Sequence, residues 1–434
     1  MRPTQQPEIG YVVKMFPRLS ETFILNEIRE MERHGLALRI FSLKRPTQSD
    51  AQLVAGTVRA PVHYLPNRIY REPVRVVRAH IGVLFRFPRG YVRTLLHVLR
   101  GRELSSMARG LRRFCQTCCL VQEMREVRHL HAHFASDPTR LASWARMICE
   151  VPFSVTTHAK DLYAGDRIKS PGLHYKLRLA RFVVTNSEHS AEDLRMAIQE
   201  PIRLVTIYNG IDLSAFPQRA KEPATPSILA VGRLVEKKGF EHLIKACGIL
   251  KARGVPFRCE IIGGGALRQA LEGVIQELGL SRLVRLRGQM AQSQLREHYA
   301  EATVFALPCV AAADGDRDIL PNVVKEAMAI GVPVVTTHLE GIEELVTPEV
   351  SGLLVAPRNS EALAQALERL LTDETLRRRL AAEGRKVVED RFDARTAFKR
   401  LGELLGEVTA SNAEEADLCE LAGLENNAHR LHHR

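Results

Sequence analysis

Ser227-Ile-Leu-Ala-Val-Gly232-Arg-Leu-Val-Glu-Lys-Lys-Gly239 decides how this chain is to be read. An aliphatic run of buried-strand character stops at a glycine, a short basic turn follows, and Phe240 to Arg253 then takes up helical periodicity. A strand that feeds a helix through a turn is half of a βαβ unit, whose strands lie parallel and are covered on both faces. The alternation continues with strands expected at Phe257 to Ile262, Val284 to Leu286, Thr303 to Leu307 and Val332 to Thr336. Helices are expected at Ser360 to Thr372 and Leu376 to Glu389. Ligands of such open sheets sit beyond the carboxyl ends of the strands, so Arg233 and Lys238 converge on a crevice fit for a diphosphate.

Working outward, Ser214 to Ser227 carries three prolines and no periodicity, which places a linker at 214–226. Before it a second βα series occupies residues 1–213. Strands are expected at Ile9 to Phe16, Leu38 to Leu43, His129 to Phe134, Pro152 to Thr157, Arg181 to Asn186 and Arg203 to Tyr208. A helix runs from Ser20 to His34 and is closed by Gly35. The sequence thus predicts an α/β protein of two doubly wound, Rossmann-like domains, 1–213 and 227–391. A segment at 392–408 is long enough to cross back to the first domain, and a polar tail fills 409–434.

Composition closes off other classes. With 434 residues, 45% hydrophobic and 26% charged, the chain is neither disordered nor fibrous. The amino end lacks an apolar core and no run approaches a spanning helix, so the expectation is a cytoplasmic protein without an export signal. Eight irregularly spaced cysteines read as free buried thiols. Cys115-x-x-Cys118-Cys119 and the alternating His129, His131 and His133 lack the usual ligand spacing, so no metal site is claimed from them.

The net charge of +12 is concentrated. Arg68 to Arg113 holds twelve arginines against only Glu72 and Glu103. Arg71, Arg75, Arg78 and Arg86 are expected on one helical face, and Val74, Val77, Ile81, Leu84 and Phe85 on another. Two readings fit: an amphipathic dock for an anionic membrane surface, or a solvated arginine face over a buried apolar stripe. No nucleic-acid motif accompanies the charge, and no nucleic-acid partner is expected.

A second constellation is Asp318-Ile-Leu-Pro321-Asn-Val-Val-Lys-Glu326-Ala-Met-Ala-Ile-Gly331. Leu320, Pro321 and Asn322 fall at the amino end of a helix, where free N–H groups favour phosphate or sugar oxygens, and Gly331 ends that helix. Carboxylates accept hydrogen bonds from vicinal hydroxyls, so Glu326 suits a ribose and Asp318 a hexose. Asp314-Gly-Asp316 matches a metal-binding Asp-x-Asp, but it lies in an acidic loop of the second domain, the wrong context for that motif.

These residues carry a resemblance. Phe16-Pro-Arg-Leu-Ser-Glu-Thr-Phe23, His131-Ala-His-Phe-Ala135, Thr157-His-Ala-Lys-Asp161, Thr185-Asn-Ser187, Tyr208-Asn-Gly-Ile-Asp212, Ala230 to Phe240 and Lys325 to Val335 together resemble the retaining glycosyltransferases of family 4, notably the bacterial colanic-acid and exopolysaccharide enzymes. The resemblance implies the GT-B architecture, with two domains facing a central cleft. It also implies transfer of a hexosyl group from a UDP- or GDP-sugar to a lipid-linked or oligosaccharide acceptor, without a metal or other cofactor. By resemblance the donor is held by Gly232, Arg233, Lys238, Gly264, Asp318, Leu320, Pro321, Asn322 and Glu326, and the chemistry rests on His158, Asp318, Arg233 and Lys238. The acceptor would meet Arg18, Ser20, Thr22 and His158, although Ser20 reads first as a helix cap. Asp318 stands where the family usually has glutamate, and Ile319 where a glycine usually follows. A chain that kept nucleotide binding and lost turnover, serving as an assembly subunit, is the alternative. The expected location is the cytoplasmic face of the plasma membrane.

Overall fold

Among the residues that the computed structural model describes, 8–18, 21–47, 58–100, 106–223 and 225–410, the strands form two parallel sheets. The first contains β1 (Glu8–Val13), β2 (Leu38–Ser42), β3 (Val62–Tyr64), β4 (Val127–His133), β5 (Phe153–Thr156), β6 (Val183–Thr185) and β7 (Leu204–Thr206) in the order β3-β2-β1-β4-β5-β6-β7. The second contains β8 (Ser227–Val231), β9 (Arg258–Ile262), β10 (Val284–Gly288), β11 (Val304–Leu307), β12 (Val334–Thr337) and β13 (Leu353–Val355) in the order β10-β9-β8-β11-β12-β13. Sequential strands step outward in one direction, then restart on the other side of β1 and of β8. That reversal opens a crevice between β1 and β4 and another between β8 and β11.

The central strands are apolar because both faces are covered: Val12, Leu130, Phe153, Leu229, Ile261 and Phe305 are all buried. The edge strands β3 and β13 were not expected. Each is three residues long and only partly buried, too short to show a period.

Beyond the second sheet, the helix Glu374–Arg391 leads through the short helix Ala394–Ala397 to a helical stretch at 399–410. Leu401, Leu404, Leu405 and Val408 enter the same core as Ile9, Tyr11, Ile24 and Ile28 of the first domain. The crossing is tight: a Cβ at Gly210 would lie 2.4 Å from Ala394 Cα, and Ile211 N donates to Phe392 O at 2.9 Å.

The domains also touch at their loop ends. Gly165 N donates to Asp314 O at 2.7 Å, and the Arg317 guanidinium lies 4.0 Å from the Tyr163 ring centroid. Glu344 of the second domain accepts from Glu188 N and His189 N at 2.8 and 2.9 Å, so it caps the first-domain helix Glu188–Ala197. Among the described residues no helix is long and apolar enough to cross a membrane.

The basic segment departs from expectation. Arg71 lies in a 3₁₀ turn ahead of the helix Pro73–Arg86, and Arg75 is drawn inward to Glu123 at 2.6 Å and Glu72 at 2.6 Å, so the four arginines do not form one free face. The helix buries Val76, Ala79 and Val83 against its neighbours. The apolar stripe, which the second of the two readings buries, is open: Phe85 is 84% and Val74 69% exposed, and Val77, Ile81 and Leu84 are exposed with them. Arg71, Arg78 and Arg86 are exposed as well.

Candidate active site

Gly232 follows β8, and its carbonyl packs so close to the loop after β9 that a Cβ at Gly263 would stand 1.8 Å from it. Gly264 O then accepts from Leu234 N at 2.9 Å, which locks this loop to the basic turn. Gly239 closes the turn at φ +64°, and any side chain there would meet Pro308 O, just beyond β11, at 1.8 Å. The turn is thereby pressed across the switch point, and its lysines meet the loop carrying Asp318.

Lys238 Nζ lies 2.6 Å from Asp318 Oδ2, and Lys237 Nζ lies 3.1 Å from Oδ1. Burial pushes the Asp318 carboxyl up, but the Lys238 and Lys237 charges outweigh it and hold it well below the usual carboxylate range. Lys237 also pairs with Asp316 Oδ1 at 3.0 Å. Asp314 Oδ1 accepts from Asp316 N, and Asp314 O from Gly165 N, so the Asp-x-Asp groups build this loop. Arg233 is exposed beside them.

The helix Asn322–Ile330 starts from Pro321 and ends on Gly331, as its sequence requires. Leu320 is buried at its entrance. Glu326 is buried and accepts from Tyr299 Oη at 2.9 Å. Ile319 is buried too: its Cγ2 would lie 2.7 Å from a Cβ at Gly341, a position that His189 of the first domain also approaches. The residue in the glycine position thus fills the seam between domains.

His158 stands at the end of β5, buried between the rings of Phe134 and Phe23, with centroids at 4.4 and 4.8 Å. Burial above all pushes its imidazole down to about 3, so the ring is neutral near pH 7. Asp161 Oδ2 accepts from Ala135 N and His158 N at 3.0 and 3.2 Å, tying the loop after β4 to the loop after β5.

Of the residues expected at the acceptor, Thr22 opens the helix Thr22–Arg33 and is half-buried. Arg18 is turned onto Glu21, and Ser20 lies outside the described residues. Sequence reasoning did not single out Glu21, whose buried Oε2 has no hydrogen-bond partner, nor Lys237 or Glu27. The ion pairs of Lys237 with Asp316 and Asp318 could have been suspected from its place beside Lys238, whereas the histidine partners of Glu27 lie more than a hundred residues away.

A cavity of about 300 Å³ lined by Ser227, Arg258, Glu260 and His298 lies at the opposite, amino ends of β8 and β9, away from both crevices.

Comparison with known proteins gives one answer across the chain. The family model described as Glycosyltransferase Family 4 matches residues 20–215, and that described as Glycosyl transferases group 1 matches 214–387. The Escherichia coli glycosyltransferase WcaL, named for colanic acid biosynthesis, is 29% identical over 423 residues, covering 92% of this chain and 99% of that one. The lipopolysaccharide core biosynthesis glycosyltransferase LpsE of Rhizobium meliloti is 31% identical, over 59% of this chain and 72% of its own. Among solved structures, Anabaena HepE in complex with UDP-glucose superposes with a TM-score of 0.71 at 18% identity, over 92% of this chain and 99% of that one.

Proposed function

The chain belongs to the family 4 glycosyltransferases, and from that membership we propose that it moves a hexosyl group, with retention of configuration and without a metal ion, from a nucleoside diphosphate sugar to a lipid-linked glycan. Relatives act in exopolysaccharide synthesis by name, which supports a growing surface polysaccharide as the acceptor.

The observation that carries this reading is the pairing of Lys237 and Lys238, beside the exposed Arg233, with Asp318 in the loop that leads into the helix Asn322–Ile330 at the β8–β11 switch point. Two lysines, an exposed arginine and a helix amino end supply fixed positive charge where a diphosphate leaves. Charge that grows on the leaving group in the transition state is then stabilised more than the ground state is, which raises turnover as well as affinity. In the proposed step the bond from the sugar's reacting carbon to the diphosphate breaks. The acceptor hydroxyl bonds to the same face of that carbon and passes its proton to the departing phosphate oxygen. Glu326 would hold the ribose, and Asp318 and His158 would stand beside the sugar. The exposed apolar and arginine-bearing surface of residues 71–99 supports docking at an anionic membrane.

Titration with UDP, GDP and ADP in EDTA, on the wild type and on Arg233→Ala, tests the donor site. One nucleotide binds the wild type, and the mutant weakens it about tenfold or more. Transfer that stops in EDTA and returns with manganese sinks metal independence. An inverted product sinks retention, and Lys238→Ala should lower kcat together with donor affinity. Nucleotide binding without transfer would favour the non-catalytic alternative, and Asp318→Glu would then restore transfer if the short carboxylate is the lesion.

A further inference from the structure

Glu27 and two of the three alternating histidines form a buried cluster that the donor chemistry leaves unused. Glu27 projects from the helix Thr22–Arg33 and is 2% exposed. Its Oε1 accepts from Tyr11 Oη at 2.9 Å and lies 3.0 Å from His133 Nε2 and 3.5 Å from His131 Nε2. On its other side His133 faces the proposed active-site histidine, with Nδ1 3.4 Å from His158 Nε2 and the rings nearly parallel at 21°. Burial pushes the Glu27 carboxyl up, but His133 and His131 beside it outweigh this and keep it ionised.

We infer that Glu27 and His133 are positioning residues that fix the ring orientation and tautomer of His158. The inference rests on the reading of His158 as a group beside the reacting carbon. A carboxylate can only accept, so a neutral His133 holds its proton on Nε2 and leaves its Nδ1 as a lone pair. Among the described residues the group that meets this lone pair is His158 Nε2, which then carries its proton, and His158 Nδ1 is left bare. An oriented partner on the far nitrogen is the usual means by which a buried imidazole is kept in one tautomer. His131 does not compete for this role, because its nitrogens meet Ser154 Oγ at 2.7 Å and Thr156 Oγ1 at 3.0 Å.

The competing occupant is a metal ion. Ligand atoms of Glu27, His131 and His133 lie within 4.8 Å of one another. Each of those atoms is already engaged by hydrogen bonds at the distances above, which favours the proton-holding arrangement.

The test begins with the wild type, so that no variant has to fold. In protein labelled with ¹⁵N-histidine, and assigned with His158→Gln, the His158 resonances are expected to show the Nε2–H tautomer. The Nδ1–H tautomer overturns the inference, as does about one equivalent of zinc bound in the isolated protein. Glu27→Gln is expected to lower kcat about 10–100-fold while leaving the donor KM within about twofold, and to mix the His158 tautomers. Unchanged tautomer and unchanged kcat in that variant overturn it as well. His158→Ala at full kcat would show instead that the underlying role of His158 is wrong, whatever the tautomer.

Discussion

Asp318 pairs with a lysine that the proposed mechanism assigns to the donor. Its Oδ2 holds Lys238 at 2.6 Å, so an incoming diphosphate must share that ammonium with a carboxylate already in place. Asp318→Asn removes the competing charge and keeps the side chain's size. The free nucleoside diphosphate should then bind about fivefold tighter, roughly 1 kcal/mol, while kcat falls because the sugar loses its acceptor of hydrogen bonds. Calorimetry and a transfer assay on the same preparation read the two effects, and weaker nucleotide binding would show that Asp318 orders the lysines instead of competing for them. At this scale legibility followed distance along the chain. Arg233, Lys238, Asp318 and Glu326 lie in two short stretches, each with a glycine that marks the turn or helix end beside it. Glu27 meets His133 across 106 residues, and a glutamate on a helix face carries no local sign that its partners are imidazoles. Arg75 misled for the same reason: its register on the helix was readable, but Glu123, 48 residues on, was not.

The helix Asn322–Ile330 shows how one element joins the proposed nucleotide site to the domain seam. Glu326 lies in the donor half, whereas Lys325, one residue earlier, donates from Nζ to Asn209 O at 2.9 Å in the segment that follows the first sheet. Lys325 Nζ also lies 4.8 Å from the centroid of Phe392, where the chain turns back. Burial pushes the Lys325 ammonium down to about 7, against the pull of Glu326 and Glu344. The folded chain therefore holds this proton less tightly than the unfolded chain, whose lysine titrates near about 10.4. Between these values the unfolded state binds more protons, so stability rises with pH through this group. Denaturant unfolding at pH 7 and pH 8 should show wild type gaining about 1 kcal/mol relative to Lys325→Met. Equal pH slopes would mean that Lys325 is solvated in the folded state. The element pattern itself was largely readable, since strands buried on both faces are aliphatic runs and the long helices keep their period. β3 and β13 escaped because three residues at a sheet edge, most of them only half-buried, are specified by the neighbouring strand and not by their own sequence.

At the scale of the whole molecule, exposed apolar surface is not scattered. Eleven of the fifteen large apolar side chains exposed among the described residues lie between Tyr70 and Leu111, ten of them on the first-domain helices Pro73–Arg86, Pro88–Leu99 and Met107–Glu123 and Tyr70 in the 3₁₀ turn before them. Single exposed apolar residues are ordinary, but their concentration in one arginine-rich segment of a chain with +12 charge suits a partner that is both apolar and anionic. A lipid surface meets both demands, and Arg71, Arg78 and Arg86 are exposed in the same segment while Arg75 is held by Glu123 and Glu72. Each arginine near an anionic surface contributes about 1 kcal/mol, so Arg71→Glu, Arg78→Glu and Arg86→Glu together should weaken binding to phosphatidylglycerol vesicles by about a hundredfold or more. Phe85→Ser with Ile81→Ser should weaken it with less dependence on salt, because that term is burial and not charge. Vesicle sedimentation at low and high ionic strength separates the two terms, and transfer to a soluble acceptor should remain at the wild-type rate in both variants. If the arginine variant sediments like the wild type, lipid is not the partner and the patch meets protein. If both variants lose soluble transfer as well, the helices support the acceptor site from behind, and their exposure serves the fold of the first domain instead of its placement on a membrane.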